Sequence, residues 1–243
     1  MGEFKFPLAA LSQLEAAIQN NQAVIEKLSA RIVRDVKKKR SLFVFGSGHS
    51  ALFPMEMYHR AGGASFVIPL VAEYLLPSAG PPVVRALERT PGVASHLLRR
   101  ARPKKGEMLW IASQSGINGA VVEFALEAKK LGLFTVAFTS KKHSLSVASR
   151  HPSGKRLMEV CDECVDLGGV PGDALVPLSG KVSAGPLSTL SSVFLGHTIL
   201  VDACERLEKA GVRCVYTSVN TPDGETRNRT LEAVAAERDP LLR

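Results

Sequence analysis

The sequence predicts an α/β protein, a three-layer α-β-α sandwich built on a mainly five-stranded parallel sheet. Its apolar residues form several short continuous runs, a pattern typical of strands that are buried on both faces. Segments with helical periodicity separate most of these runs, as expected for an open sheet with helices on both sides. The chain has 243 residues, 45% of them hydrophobic and 22% charged, which is enough for one large core.

The first element is a predicted long helix over residues 8–40, where apolar residues recur at helical spacing. These residues are Leu11, Leu14, Ile18, Ile25, Leu28 and Ile32. The five predicted strands follow at residues 42–45, 66–69, 108–112, 134–138 and 164–167. Between the third and fourth strands, a helical stripe consists of Val121, Phe124, Ala125 and Ala128. A last helix is predicted over residues 190–209, before a strand-like segment at 214–216 and a polar tail.

Two irregular stretches interrupt the alternation of strands and helices. Residues 73–106 contain five prolines, and residues 168–186 are rich in Gly, Pro and Ser. Alternation resumes after each stretch, so we interpret both as insertions in a single domain covering residues 1–243. Long irregular connections in compact domains commonly act as lids or interface arms.

Composition argues against several classes of partner. The net charge is +8, but the basic residues at 37–40, 99–105 and 141–142 lack the interleaved aromatic residues that stack on bases. No apolar run approaches the roughly 20 residues that cross a bilayer, and no secretory signal is visible at the N-terminus. We therefore expect a cytoplasmic protein with no nucleic-acid partner and no membrane partner.

Cysteine usage predicts neither a disulfide scaffold nor a metal centre. The chain has four cysteines, and Cys161 and Cys164 form a C-x-x-C pair without a second pair at zinc-ligand spacing. We interpret this pair as structural. No metal and no cofactor is predicted from the sequence.

Chemistry is expected where two of the predicted strands end. Ligands of open parallel sheets bind beyond the carboxyl ends of the strands, where glycine lets the backbone approach a ligand and helix N-termini favour anions. The turn after the first strand consists of Gly46, Ser47, Gly48, His49 and Ser50. The turn after the third strand contains Ser113, Gln114, Ser115, Gly116 and Asn118. Together these turns predict a site whose neutral donors hold a phosphate or sugar hydroxyls.

A dinucleotide site is the competing interpretation of the first turn. Gly46, Gly48 and Ala51 satisfy the pattern G-x-G-x-x-A. The acidic residue expected at a strand end about 20 positions later is missing, because the second strand closes with Ile68-Pro69-Leu70. The pattern therefore favours a phosphosugar over a nicotinamide cofactor.

These turns, with Phe138-Thr139-Ser140 after the fourth strand, resemble the phosphosugar-binding signature of the sugar isomerase (SIS) domain. The resemblance spans roughly residues 8–212 and points to a subgroup related to phosphoheptose isomerase and N-acetylmuramic acid 6-phosphate etherase. It implies that Ser47 and Ser50 form the first ligand turn and that Ser113 and Ser115 hold phosphate. The family usually has threonine where Asn118 stands.

Acid–base candidates are fewer. Glu56 and His59 lie three positions apart on the helix that leaves the first turn, and thus on one face of it. The resemblance supports this helix, since phosphoheptose isomerase carries a His and a Glu there, although in the opposite order and at a different offset. The alternative is that Glu56 pairs with Arg60 on a wet helix face while His59 lies at an interface.

A third candidate is His197 on the late helix. It belongs to an apolar stripe formed by Leu190, Val193, Phe194, His197 and Val201. A histidine in such a stripe is either a hydrogen-bonded core residue or, as the resemblance implies, an active-site group. Glu88 is expected to be a surface ion-pair residue unless its insertion folds over the site. Asp173 is expected to cap a turn.

The sequence thus predicts a phosphosugar-binding protein that acts as an aldose–ketose isomerase through an enediolate. Glu56 is the predicted base, and His59 or His197 the assisting acid. The alternatives are a lyase similar to N-acetylmuramic acid 6-phosphate etherase and a non-catalytic phosphosugar sensor that acts on a protein partner. DNA-binding sensors are disfavoured, because the first 40 residues form one helix. The resemblance also implies a homodimer or higher homo-oligomer built on the opening and late helices.

Overall fold

A computed structural model describes residues 4–242, so the two ends of the predicted 1–243 domain lie outside the described residues. Five parallel strands form the main sheet in the order β2-β1-β3-β4-β5. The strands are β1 (Leu42–Gly46), β2 (Val67–Leu70), β3 (Met108–Ala112), β4 (Phe134–Thr139) and β5 (Glu163–Asp166). The predicted fold class and all five predicted strands are confirmed.

Helices cover both faces of this sheet, which completes the three predicted layers. They are α1 (Lys5–Lys37), α2 (Leu52–Met57), α3 (Pro81–Leu87), α4 (Ser95–Ala101), α5 (Gly119–Lys130), α6 (Lys141–Leu145), α7 (Leu157–Val160), α8 (Ser188–Lys209) and α9 (Gly224–Ala235). One core lies between the sheet and α1, α2 and α8, and the other lies between the sheet and α4, α5 and α7. Since side chains alternate between the faces of a strand, each fully buried strand contributes to both cores.

Aromatic rings fill the first of these cores. The Trp110 and Phe138 ring centroids are 4.9 Å apart, and Phe53 of α2 lies 4.9 Å from Phe138. Gly196 of α8 faces this cluster, where a β-carbon would lie 2.6 Å from the Phe53 ring. The close approach of α8 fixes α2, the helix that follows the first ligand turn.

The opening helix spans Lys5–Lys37 rather than residues 8–40. Its predicted buried stripe is confirmed except at Leu11, which is 65% exposed. Ala10 and Ala17 are buried with that stripe. The prediction counted large apolar residues only, whereas small alanines form part of the face that approaches the neighbouring elements.

Both insertions are more regular than predicted. The first contains α3 and α4, and α3 starts at Pro81-Pro82, where the missing amide hydrogens cost nothing. The second contains an antiparallel hairpin of β6 (Ala174–Pro177) and β7 (Ser183–Pro186). The proline-rich and glycine-rich composition thus marked the ends of short elements.

The segment after α8 also corrects the sequence analysis. Residues 214–216 do not add a strand to the sheet, and Val215 makes one antiparallel bridge to Ala64. The predicted polar tail contains α9, and Arg238 after it donates to the fully buried Glu107 at 2.8 Å. Within residues 4–242, no helix combines the length and apolar character needed to cross a bilayer.

Candidate functional site

The two predicted ligand turns lie side by side at one edge of the sheet. β1 pairs with β2 on one side and with β3 on the other, and Gly46 stands opposite Ala112 in the β1–β3 register. In chain order, β2 is added on one side of β1, whereas β3, β4 and β5 follow on the other side. The strand order therefore reverses between β1 and β3. In open α/β sheets, ligands bind in the crevice at this switch point.

The first turn is tight and exposes hydroxyl groups. A β-carbon at Gly46 would lie 2.1 Å from the Ser50 carbonyl oxygen, so only glycine fits there. Gly48 has a φ of +59°, which also favours glycine. Among the described residues, Ser47 and Ser50 hydroxyls have no hydrogen-bond partner, and His49 is exposed. The turn thus presents two unused hydroxyls at the sheet edge.

The second turn is held by its own hydrogen bonds. Ser113 Oγ accepts from the Gly116 amide at 3.2 Å, which leaves the Ser113 hydroxyl proton free to donate. Ser115 has no side-chain partner within residues 4–242, and Gln114 Oε1 is buried there without a donor. This turn leads directly into α5, whose N-terminus carries the positive end of the helix dipole.

Asn118 does not cap α5 in the usual way, because its side chain bridges two charged residues. Its Nδ2 donates to Glu88 Oε1 at 2.8 Å, and its Oδ1 accepts from Arg150 Nη1 at 2.8 Å. The sequence analysis missed Arg150, and it expected Glu88 to be a surface ion-pair residue unless its insertion folds over the site. No local sequence signal identifies this cluster, since Glu88 lies 30 positions before Asn118.

The first insertion folds over both turns. The Ala120 amide at the start of α5 donates to the Glu88 carbonyl oxygen at 3.0 Å. A β-carbon at Gly119 would lie 2.3 Å from the Arg89 carbonyl oxygen, and one at Gly48 would lie 2.9 Å from Glu88 Oε2. The Glu88 carboxylate therefore lies between the two ligand turns.

The surroundings of Glu88 increase its proton affinity. Burial raises the pKa of its carboxyl above the ordinary value, and this effect exceeds the opposing ones of the Asn118 hydrogen bond and of the charges on Arg89, Arg150 and Arg85. A carboxylate with a raised pKa is a stronger base than one in water. This cluster can therefore accept and return a proton.

Glu56 and His197 also come together, on α2 and α8. His197 Nε2 lies 3.4 Å from Glu56 Oε1, and Arg60 forms an ion pair with the same oxygen. Burial, and secondarily the Arg60 charge, lowers the pKa of His197 below its usual value. The Arg60 pairing given as the alternative for Glu56 is therefore present, and Glu56 also contacts His197, the other predicted assisting acid.

His197 borders a cavity of about 270 Å³ that is separate from the two ligand turns. Its lining comes from Gly62, Gly63, Ala64 and Val215 and from α8 residues between His197 and Glu208. None of these residues belongs to the turn after β1 or to the turn after β3. His197 thus borders a cavity next to α8, whereas Glu88 contacts both ligand turns.

His59 is occupied by the C-terminal segment. Its Nε2 lies 2.8 Å from Glu232 Oε1 of α9, and its ring centroid lies 4.5 Å from that of Tyr216. Within the chain, His59 thus packs against the C-terminal segment, and its place at an interface between copies stays a prediction. The structure does not bring His59 into contact with Glu56 or with the two turns.

The remaining candidates, Asp173, Cys161 and Cys164, have the environments of structural residues. Asp173 caps the start of α8, since its carboxylate accepts from the amides of Leu187 and Ser188 at 3.1 and 2.8 Å. Burial raises the pKa of Cys161 to about 12 and that of Cys164 to about 11, so both stay protonated thiols. Among residues 4–242, no group of three or more His, Cys, Asp or Glu side chains has the arrangement of a metal site.

Comparison with known proteins identifies the family. The family model of the SIS domain matches residues 6–140, which is more than half of the chain. The chain is an SIS domain protein. A UPF0309 protein of Shouchella clausii is 34% identical to it over 223 residues, which is 90% of each chain. A UPF0309 protein of Oceanobacillus iheyensis is 34% identical over 201 residues, which is 81% of each chain. This SIS protein therefore belongs with the UPF0309 proteins.

Two solved structures align with most of the chain at low sequence identity. A phosphoheptose isomerase from Francisella tularensis aligns with a TM-score of 0.48 and 13% identity, over 84% of this SIS protein and 95% of that chain. The NanR protein of Vibrio vulnificus, solved with ManNAc-6P, aligns with a TM-score of 0.45 and 16% identity, over 94% of this chain and 68% of that one.

Proposed function

We propose that this SIS protein binds a phosphorylated sugar between the turns after β1 and β3. The observation that carries the proposal is the cluster of unused polar groups at the switch point. Within residues 4–242, the hydroxyls of Ser47, Ser50 and Ser115 lack partners, and Gln114 Oε1 is a buried acceptor without a donor. Of these four groups Gln114 Oε1 is the fully buried one, and buried polar groups normally have partners. An unpaired buried acceptor beside three available hydroxyls is suited to a polyhydroxylated ligand.

The phosphate belongs at the serines of the second turn. Ser113 and Ser115 precede α5, whose N-terminal amides and dipole favour a dianion. The sugar hydroxyls would then lie towards Ser47, Ser50 and Gln114. This assignment uses neutral donors, and keeps the site residues predicted from the sequence, namely Gly46, Ser47, Gly48, His49, Ser50, Ser113, Gln114, Ser115, Gly116 and Asn118.

We further propose that the reaction is aldose–ketose isomerisation. Such a reaction needs a base for the proton on C2 and donors near the oxygen that gains charge. The site offers carboxylates and unpaired hydroxyls for these roles. Glu56, His59 and His197 remain the candidates predicted from the sequence, and Glu88 joins them from the structure.

Calorimetry with sugar phosphates tests the binding proposal. The probes are a hexose 6-phosphate, a heptose 7-phosphate and an N-acetylhexosamine 6-phosphate, each beside the unphosphorylated sugar and inorganic phosphate. We expect one sugar phosphate to bind, and Ser115→Ala to weaken it about tenfold through loss of a hydrogen bond to a charged group. Ser183→Ala on the exposed β7 is the matched control and should leave Kd unchanged.

The outcomes separate the candidate functions. Binding followed by exchange of the C2 proton in deuterated water supports the isomerase, whereas release of lactate from a muramic acid 6-phosphate supports the lyase. Binding without either reaction supports the sensor. If no sugar phosphate binds, or if Ser115→Ala binds as well as the unmodified chain, the proposed site is wrong.

The oligomeric state also stays a prediction. Large apolar side chains on α2 and α8 are 40–60% exposed in one chain. They are Leu52, Met55, Leu190 and Val201. We propose that a second copy covers them in a homodimer, which light scattering would show as twice the chain mass of 26.1 kDa. The cytoplasmic location is a prediction from the sequence alone.

A further inference from the structure

We infer that Glu88, a residue of the first insertion, is the group that moves the proton between C2 and C1 of the bound sugar. The inference rests on the proposed phosphosugar function and names the catalytic residue of that site. It differs from the prediction made from the sequence, in which Glu56 is the base.

The Glu88 carboxylate lies where a bound sugar would pass. Glu88 Oε1 accepts a hydrogen bond from Asn118 of the second turn at 2.8 Å. Glu88 Oε2 lies beside Gly48 of the first turn, 2.9 Å from the position that a β-carbon on Gly48 would occupy. A sugar whose phosphate lies at the second turn and whose hydroxyls reach the first turn must pass this carboxylate. Glu56 of α2, in contrast, borders His197 of α8 and Arg60, which follows the end of α2.

The backbone around Glu88 is fixed, as a catalytic position requires. Its carbonyl oxygen accepts from the Ala120 amide at 3.0 Å, and Gly119 lets the Arg89 carbonyl approach to where a side chain would otherwise stand. A side chain held by two elements loses little entropy when a substrate arrives. Asn118 fixes the carboxylate oxygen Oε1, so Oε2 is the oxygen left to meet a ligand.

The charges around Glu88 and Glu56 also differ. Glu88 has a neutral amide as its hydrogen-bond partner, and the guanidinium groups of Arg85, Arg89 and Arg150 act on it only at longer range. Glu56 forms a direct ion pair with Arg60, which stabilises its anion and weakens it as a base. Burial moves the pKa of Glu88 in the direction that favours proton transfer.

The proposed step is balanced without an oxidant or a metal. The Glu88 carboxylate takes the proton from C2, the C2–H electron pair becomes the C1–C2 double bond, and O1 receives the carbonyl electron pair. The hydroxyl proton of O2 passes to O1. The protonated Glu88 then returns its proton to C1 as the C2 carbonyl forms, which regenerates the carboxylate.

The test measures binding and C2 proton exchange separately, in deuterated water, for the sugar phosphate that calorimetry identifies. We expect Glu88→Gln to keep Kd within about threefold and to lower exchange about 1,000-fold, as removal of a general base does. Glu88→Asp should restore part of the exchange, because it keeps the carboxylate at a shorter reach. Glu73→Gln, an exposed glutamate of the same insertion, is the control and should exchange normally.

The possible outcomes distinguish the role of Glu88 from the phosphosugar function. Loss of exchange in Glu88→Gln with intact binding supports Glu88 as the catalytic residue. Exchange that survives in Glu88→Gln but is lost in Glu56→Gln overturns this inference, while the phosphosugar function stands. Failure of the unmodified chain to bind any sugar phosphate removes the proposed function itself. A loss of binding in Glu88→Gln, with no rescue by Glu88→Asp, assigns the residue a structural role and also overturns the inference.

Discussion

Glu88 and Glu56 are two carboxylates near the first ligand turn, and their surroundings are opposite. Glu88 is partly buried and accepts a hydrogen bond from the neutral Asn118, and burial raises its pKa. Glu56 is about one third exposed, at 36% for its side chain, and forms an ion pair with Arg60. The comparison shows that closeness to a motif in the sequence does not select the better base. Desolvation without a direct counter-ion does.

After the Glu88 variants, the largest expected effect comes from Gly48→Ala, which places a β-carbon against Glu88 and strains the backbone of the first turn. The new β-carbon would lie 2.9 Å from Glu88 Oε2, so the carboxylate must move away from the site. A displacement of about 1 Å in a catalytic group costs on the order of 100-fold in rate. We expect C2 exchange to fall about 100-fold, measured by NMR in deuterated water.

Gly62→Ala is the matched control for that variant. Gly62 has a φ of +79° and Gly48 one of +59°, so both substitutions strain the backbone. Nothing lies within 4 Å of a β-carbon at Gly62. An equal loss of exchange in both variants would show that backbone strain, rather than the position of Glu88, explains the effect.

The fold could be predicted because its determinants are local and periodic. Every residue of Met108–Ala112 is buried, as a continuous apolar run predicts. The helix α9 could not be predicted in this way, because most of its residues are polar and only Gly224, Asn228 and Leu231 are buried. It forms against the rest of the fold, where Asn228 Oδ1 accepts from the Thr217 amide at 2.8 Å.

In the candidate site, too, the locally determined part could be predicted and the part that depends on long-range contacts could not. The two hydroxyl-bearing turns follow directly from their strands, so Ser47 and Ser113 could be assigned to one sheet edge from sequence order alone. The position of Glu88 depends on how the first insertion folds across α5, through contacts of Ala120 and Gly119 with residues about 30 positions earlier. Sequence spacing contains no information about such a contact.

The next prediction concerns the free energy of unfolding, which should change with opposite sign in two glutamine variants. A carboxyl whose folded pKa is raised is most stabilising below its unfolded pKa, and this stability is lost as pH rises through the folded pKa. Glu88→Gln should therefore stabilise the protein at pH 7, by up to about 1 kcal/mol, because it removes a desolvated charge. Glu56→Gln should lower the free energy of unfolding by less than about 1 kcal/mol, since it removes a partly exposed ion pair.

Urea unfolding at pH 7 and near pH 4 measures this difference. The gain in Glu88→Gln should shrink at the lower pH, where the Glu88 carboxyl is protonated in the folded state. Glu73→Gln shows the effect of the substitution at an exposed site. A destabilised Glu88→Gln at pH 7 would mean that the Asn118 hydrogen bond outweighs the cost of burying the charge.

A smaller effect is expected at His197 when Arg60 is replaced by methionine. The Arg60 charge lowers the pKa of His197, and Arg60 also holds the Glu56 oxygen that faces the histidine. Arg60→Met should raise the pKa of His197, because a cation leaves and an unpaired carboxylate remains. NMR titration of the imidazole measures this, with the His96 resonance as an internal reference. An unchanged value would show that burial alone sets the pKa of His197.

The smallest effect comes from Arg150→Met, which tests the long-range charges around Glu88. Arg150 lowers the pKa of Glu88, so its removal should raise that pKa slightly, since the charge is exposed and screened. Exchange requires ionised Glu88, and the acidic limb of its pH profile should therefore move to higher pH. The exposed Lys155→Met in the same loop is the control. A limb that moves to lower pH, or that moves equally in both variants, would contradict Glu88 as the titrating base.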